Sequence, residues 1–227
     1  AMNKIWIGNG QLVLPDKIVP GGSVLLEGKK IAAVNVPCPP DARRVDVDGS
    51  YIMAGFVDIH VHGGGDSDFM DEDASAFPTI AKAHCAHGTT ALCPTTMTCA
   101  DSLLEKTIDL FLEADKEPEN GAELLGLHLE GPYFSAASKG AQPIGEQRIP
   151  EREDLERILR RAKGSILRWD AAPELPNMEL FAKVMAENGV LTSLAHSAAT
   201  APEALRAFDW GFSHVTHFYN ACTTFHK

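Results

Sequence analysis

The sequence predicts an α/β fold, a parallel sheet covered on both faces in the manner of a (β/α) barrel, preceded by a small antiparallel β unit. Three observations carry this. The composition, 44% hydrophobic and 22% charged over 227 residues, is that of a globular chain and excludes disorder as the main state. Residues 3–52 hold only short strand signals. From Tyr51 onward, apolar strands alternate with amphipathic helices.

In the first part, Ile5–Ile7, Gln11–Leu14, Ser23–Glu27, Lys30–Asn35 and Arg43–Asp46 carry β-branched or alternating residues. Asn9-Gly10, Gly21-Gly22, Gly28 and Asp48-Gly49 read as the turns between them. In the second part the strands are Gly55–His60, Thr90–Pro94, Leu124–Leu129, Ile166–Ala171, Val190–Ala195 and Ser213–Thr216. The helices between them span about 73–87, 101–115, 151–163, 177–187 and 201–209, with Asp101 and Asn177 as N-caps. Six strands and five helices suit a barrel whose closed form has eight strands and about 250 residues. The span after residue 52 is too short for eight, so the chain is expected to be a piece of a longer enzyme. On that reading its open sheet edges favour aggregation or swapped dimers.

The formal net charge of −11 argues against a nucleic-acid partner, which wants a basic face, but leaves an anionic small molecule open. No stretch approaches the ~20 apolar residues of a membrane span, and no signal peptide is visible. Five scattered cysteines without a CxxC pair indicate neither a disulfide framework nor a zinc knuckle, and predict a reducing, cytoplasmic setting.

Four strand ends carry the chemistry. His60-x-His62 closes the apolar segment Phe56–Ile59 and runs into Gly63-Gly64-Gly65. On a strand, residues two apart share a side, so both imidazoles can meet one ion. Glu130, in Leu127-His128-Leu129-Glu130-Gly131-Pro132, has no packing purpose at the end of an apolar strand; buried without a partner it would cost several kcal/mol. A metal would supply the missing charge, as would an arginine or a loop donor. His196 and His217 each close a further strand. One strand-end histidine is usually a core or loop residue, whereas four strand ends each offering His or Glu rarely coincide by accident.

Other residues say less. His128 shares the face of Glu130 and reads as a supporting donor. Thr95, Thr96 and Thr98 either line the mouth or satisfy loop backbone. Lys139 to Gln142 lie in a loop that could touch substrate, and backbone N–H groups at Asn220 and Ala221 could hold an anion. His84 and His87 fall on a helix, His214 on the wrong face, and Arg157, Arg160, Arg161 and Lys163 on a solvated helix face. The cysteines read as small buried residues. No nucleophile elbow, P-loop or dinucleotide fingerprint is present.

Taken in order, Gly55–Gly63, Gly88-Thr89-Thr90, Pro94-Thr95, His128–Tyr133, Lys139-Gly140-Ala141, Ala172-Pro173-Glu174, Ala195-His196-Ser197 and Thr216–Ala221 resemble the amidohydrolase superfamily. Within it they resemble the N-acetylglucosamine-6-phosphate deacetylases. HxH is shared by the superfamily; His-Leu-Glu-Gly-Pro and Thr-His-x-(Phe/Tyr)-Asn-Ala are specific to the narrower family. The resemblance implies a TIM-type barrel at 53–227, about six of its eight strands present, and a β-sandwich portion at 1–52. It implies hydrolysis of the acetamide of N-acetylglucosamine 6-phosphate to glucosamine 6-phosphate and acetate, in amino-sugar catabolism. Glu130, His196 and His217 would hold one divalent ion, and His60 and His62, with Glu130 bridging, a second. Zinc comes first for this donor set, with iron, cobalt and manganese also suited to it. Gln142, Asn220 and Ala221 would contact substrate, and a homodimer is implied.

The departures fall on the sugar contacts. Gln142 stands where many members have histidine, and Ala198 where asparagine often follows serine. The family's general acid/base aspartate, and an arginine and a histidine for the phosphate, are expected beyond Lys227. The span alone is therefore expected to bind metal yet turn over almost nothing. Two rivals stand: a dihydroorotase-like hydrolase of a cyclic amide, expected to carry a carboxylated lysine on its fourth strand, and a truncated, inert metal-binding chain.

Overall fold

The computed structural model describes residues 4–143 and 145–223. His226, uninterpretable from sequence, lies outside the described residues. The chain divides into two compact units, residues 1–55 and 56–227.

The first unit is one five-stranded sheet. β1 (Lys4–Val13) pairs antiparallel with β2 (Ile18–Glu27), and β2 with β3 (Lys30–Val34). β4 (Arg43–Asp46) and β5 (Tyr51–Ile52) both run parallel to β1, so the sheet is mixed rather than antiparallel as expected. Asn9-Gly10 and Gly21-Gly22 are not turns. They lie inside β1 and β2 where the pairing register shifts, and Asn9 takes the extra backbone length in a left-handed conformation, φ 59°. Leu12, Val24 and Ile52 form the small core.

The second unit alternates as predicted. β6 (Phe56–Val61) is followed by the two-residue strands β7 (Gly63–Gly64) and β8 (Ser67–Asp68), then α1 (Ala76–Cys85) and β9 (Thr89–Pro94). α2 (Asp101–Glu113) leads to β10 (Glu123–Leu124) and β11 (Leu127–Glu130), one predicted strand broken at Gly126. Then come α3 (Arg152–Ala162), β12 (Ile166–Ala171), α4 (Met178–Glu187), β13 (Leu191–Leu194), α5 (Ala201–Trp210) and β14 (His214–Val215). All six strand positions are parallel. β6, β9 and β10 form one sheet and β11 to β14 another, joined by a bridge between Thr95 and His128. Among the described residues the row is open, with β6 and β14 at its edges.

Alternation on β11 and β12 builds both the core and the site. Leu127, Leu129 and Trp169 turn into the apolar core, where Trp169 packs edge-on against Phe181 and its indole N–H donates to Gly131 O at 2.8 Å. Burying side chains of this size contributes about 1.5–3 kcal/mol each. The other face of the same strands carries His128, Glu130, Arg168 and Asp170, all buried.

Two expectations about helices are corrected. Asp101 is not an N-cap: Ala100 holds that position, and Asp101 pairs with Arg148 and Arg157. Asn177 sits at the cap, but its amide donates to Pro150 O instead of capping. The side-chain cap belongs to α5, where Thr200 and Glu203 form a capping box. Nor is the basic face of α3 simply solvated. Arg157 reaches Glu105 and Asp101, and Arg161 reaches Glu105 and Asp109, across to α2. Among the described residues no helix is long and apolar enough to cross a membrane.

Candidate metal centre

Glu130 ends β11 with 3% of its surface exposed. Four imidazoles from three other strand ends close on its carboxylate. Oε1 lies 3.0 Å from His217 Nε2, 3.1 Å from His196 Nε2 and 3.6 Å from His60 Nε2; Oε2 lies 3.2 Å from His62 Nε2. Gln142 Nε2 donates to Oε2 at 2.8 Å, and Gln142 Oε1 accepts from Thr98 N, so its amide is tied on both sides.

Backbone carbonyls set which way three of the rings face. Nδ1 of His62 lies 3.2 Å from Thr95 O, that of His196 3.1 Å from Ser138 O, and that of His217 3.0 Å from Asn220 O. Each Nδ1 donates, so Nε2 is the atom turned to Glu130: it carries the proton bonded to the carboxylate when no cation is present and offers its lone pair when one is. His196 and His217 reach this arrangement from left-handed backbone, φ 45° and 33°, a strained conformation that places the rings just past the ends of their strands. Gly140, at φ 56°, lies against His196: a Cβ there would meet His196 Cε1 at 3.3 Å.

The electrostatics follow from the geometry. Burial alone would push the Glu130 carboxyl up, but hydrogen bonds from His196, His217 and His62 hold it well below the usual carboxylate range. The Glu130 hydrogen bond raises His62 and His217 above 6.5. Burial lowers His60 to about 4.

Two sets of donors could hold a divalent cation: His60, His62 and Glu130, and Glu130, His196 and His217. The donors themselves argue for a fit. His196 Nε2 and His217 Nε2 stand 3.1 Å apart, each with its Nδ1 proton committed to a carbonyl. Two facing lone pairs at that distance need a proton or a cation beside them. A third set, His60, His128 and Asp170, lies deeper, but Arg168 already brings a positive charge to within 3.6 Å of Asp170 Oδ1.

A cavity of about 450 Å³ opens over the centre. His60, His62, Glu130, Gln142, His196, His217, Asn220 and Ala221 all line it, with Met97, Gly140 and Ala141. Other expected groups lie elsewhere. Thr95, Thr96 and Thr98 are buried behind it, and Thr95 Oγ1 donates to Cys93 O and accepts from Val61 N. His84 Nε2 lies 3.1 Å from Gly63 O beneath the glycine turn, and His214 bonds Ser213. Cys93 is buried, which pushes its thiol up.

Sequence reasoning missed Arg168 and Asp170. Their signal was two charged residues at i and i+2 within an apolar strand, which alternation places on the side occupied by His128 and Glu130.

Residues 51–225 match the Amidohydrolase family. The chain is 32% identical over 190 residues to N-acetylglucosamine-6-phosphate deacetylase of Lysinibacillus sphaericus, covering 81% of this chain and 47% of that protein. It is 28% identical over 221 residues to N-acetylgalactosamine-6-phosphate deacetylase of Escherichia coli O157:H7, 97% of this chain and 55% of the relative. The crystal structure of N-acetylglucosamine-6-phosphate deacetylase from Pasteurella multocida is similar at a TM-score of 0.86 and 28% identity, over 96% of this chain and 57% of that one. The chain spans about half the length of the curated relatives it matches. With the family match running through the second unit and every candidate ligand, this chain belongs to the amidohydrolase family.

Proposed function

We propose that this chain carries the metal centre of an enzyme that hydrolyses the acetamide of N-acetylglucosamine 6-phosphate to glucosamine 6-phosphate and acetate, in amino-sugar catabolism. One observation carries the reading: a single buried carboxylate stands at the meeting point of two histidine pairs. The relatives support it, since they are named for this deacetylation or for its galactosamine counterpart.

Glu130, His196 and His217 would hold one divalent ion, and His60 and His62, sharing Glu130, a second; zinc comes first among the metals that suit these donors. An ion in such a site makes hydroxide available near neutral pH and polarises an amide carbonyl. The protein's own part is to orient. Nδ1 donation to Thr95, Ser138 and Asn220 keeps three rings facing inward, and Gln142 holds the Glu130 carboxylate against rotation. Asn220 and Ala221, at the cavity wall, face the substrate end. By the family resemblance, an aspartate outside this span would supply the proton for the departing amine.

The open row of six parallel strands is read as six of the eight of a TIM-type barrel, at 53–227, with residues 1–52 a β-sandwich portion. A homodimer in the cytoplasm completes the proposal. The dihydroorotase-like rival expects a lysine on the fourth strand; β12 offers Arg168 and Asp170 there.

The test is metal content together with acetate release from N-acetylglucosamine 6-phosphate, on this span and on a chain of the relatives' length. Metal in both and acetate only from the longer chain is expected. Stoichiometric metal with no acetate from either moves the substrate elsewhere, and acetate only from the galactosamine epimer overturns the choice of sugar. No metal in either overturns the centre itself.

A further inference from the structure

Behind the cavity, His60 breaks a pattern. His62, His196 and His217 each have Nδ1 backed by a carbonyl, whereas His60 Nδ1 is buried with no hydrogen-bond partner. Close to it is a carboxylate with the complementary deficit. Asp170 is fully buried, and neither of its oxygens has a hydrogen-bond partner. One ligating atom from each of His60, His128 and Asp170 falls within 4.8 Å of the others. The strand register explains why: Glu130 pairs with Asp170 and His128 with Arg168, a block of four polar side chains on adjacent strands.

The surrounding donors leave Asp170 room for one more partner. Arg168 Nη2 donates to His128 Nδ1 at 2.8 Å and to Ile59 O at 3.1 Å, the latter on the strand that carries His60. The same Nη2 also lies 3.2 Å from His128 Nε2, and that nitrogen is 2.9 Å from Asp170 Oδ1 but out of hydrogen-bond alignment. Arg168 Nε, 3.6 Å from the same oxygen, balances the carboxylate charge. Oδ2 faces none of these groups within bonding range. Two complementary orphans this deep are costly apart, because each buried unmade hydrogen bond forfeits about 1–3 kcal/mol.

We propose that Asp170 is a positioning residue whose buried charge, just beyond hydrogen-bond reach of His60, holds that ring's proton on Nδ1 and so keeps its Nε2 lone pair toward Glu130, with Arg168 and His128 holding the carboxylate in place. Asp170 touches no substrate. It would do for His60 what Thr95, Ser138 and Asn220 do for the other rings, but through a charge at longer range rather than a bonded carbonyl, and a carboxylate so placed makes the ligand more basic. The asymmetry matters: the His196–His217 half is backed by carbonyls alone, the His60–His62 half by one carbonyl and a carboxylate. The effect on metal rests on the reading that His60 and His62 hold an ion; the link between Asp170 and His60 does not.

The experiment compares the native chain with Asp170→Asn, a substitution of nearly equal shape. Histidine ¹⁵N spectra of the metal-free protein report where His60 carries its proton. Nδ1–H is expected in the native chain, and a shift toward Nε2–H in the variant. Zinc titration against a competing chelator should then show the His60–His62 half weakened about 10–100-fold while the His196–His217 half is unchanged. A native His60 protonated on Nε2 overturns the proposal by itself, whether or not the variant folds. So does a variant with native tautomer and native zinc affinity, even if its melting temperature falls. A native chain that takes up no zinc at His60 and His62 overturns the two-ion reading and leaves the tautomer to decide the link.

Discussion

Replacing Glu130 with glutamine removes the one negative charge in direct contact with four imidazoles and keeps the shape. In the native chain that carboxylate takes donors from His196, His217, His62 and Gln142 while 3% exposed. Removing one partner from such a buried set costs about 3–5 kcal/mol. At 1.36 kcal/mol per decade, that is roughly a 10²–10⁴-fold loss of metal affinity. The amide adds a second penalty, because its NH2 can donate into the same Nε2 lone pairs that a cation would take. Both sets of donors share Glu130, so Glu130→Gln should weaken both ions, whereas His62→Asn should weaken only one. Chelator-competition titration with elemental analysis reads this directly. Native stoichiometry and affinity in Glu130→Gln would refute the shared-carboxylate reasoning.

Three further outcomes follow from the same geometry. His62 and His217 sit above 6.5 because they bond Glu130, so metal uptake should weaken as pH falls through their raised values; in the metal-free protein the sign reverses, with their stabilisation complete below about 6.5 and lost as pH rises through the folded-state values, and the pH dependence of chelator competition and of melting checks each. Gly140→Ala forces a side chain into left-handed backbone, about 1–2 kcal/mol, and presses it on His196, so calorimetry should show a lower melting temperature and the His196–His217 half should bind zinc more weakly. Trp169→Phe strips the buried carbonyl of Gly131 of its donor and should cost about 1–3 kcal/mol in urea unfolding with the metal sites kept.

The alternation of strands and helices was legible because each apolar run is short and each helix amphipathic. α3 shows it plainly, with Leu155, Ile158 and Ala162 buried at helical spacing. The ligands were legible because each ends a strand, and in a parallel row all such ends face one way. What sequence could not show was pairing. Nothing local says that β4 and β5 run parallel to β1, or that Asn9-Gly10 is absorbed as a bulge. The same limit hid Asp170: its neighbours, Glu130 in register and His60 on another strand, are fixed by strand order alone. Gln142, expected to contact substrate, lines the cavity, and the ties of its amide to Glu130 and Thr98 are contacts that no spacing reveals.

The left-handed backbone at His196 and His217 divides two demands that one residue meets at each position. The loop asks for a residue that tolerates positive φ, which asparagine, aspartate and histidine do more readily than others. The centre asks for an imidazole. A saturation library at these two sites would therefore sort into two rankings that need not agree. Abundance of folded protein would favour glycine and asparagine beside the native histidine, whereas metal retention would keep histidine alone. Variation that survives on foldability could thus silence the chemistry while leaving the architecture intact.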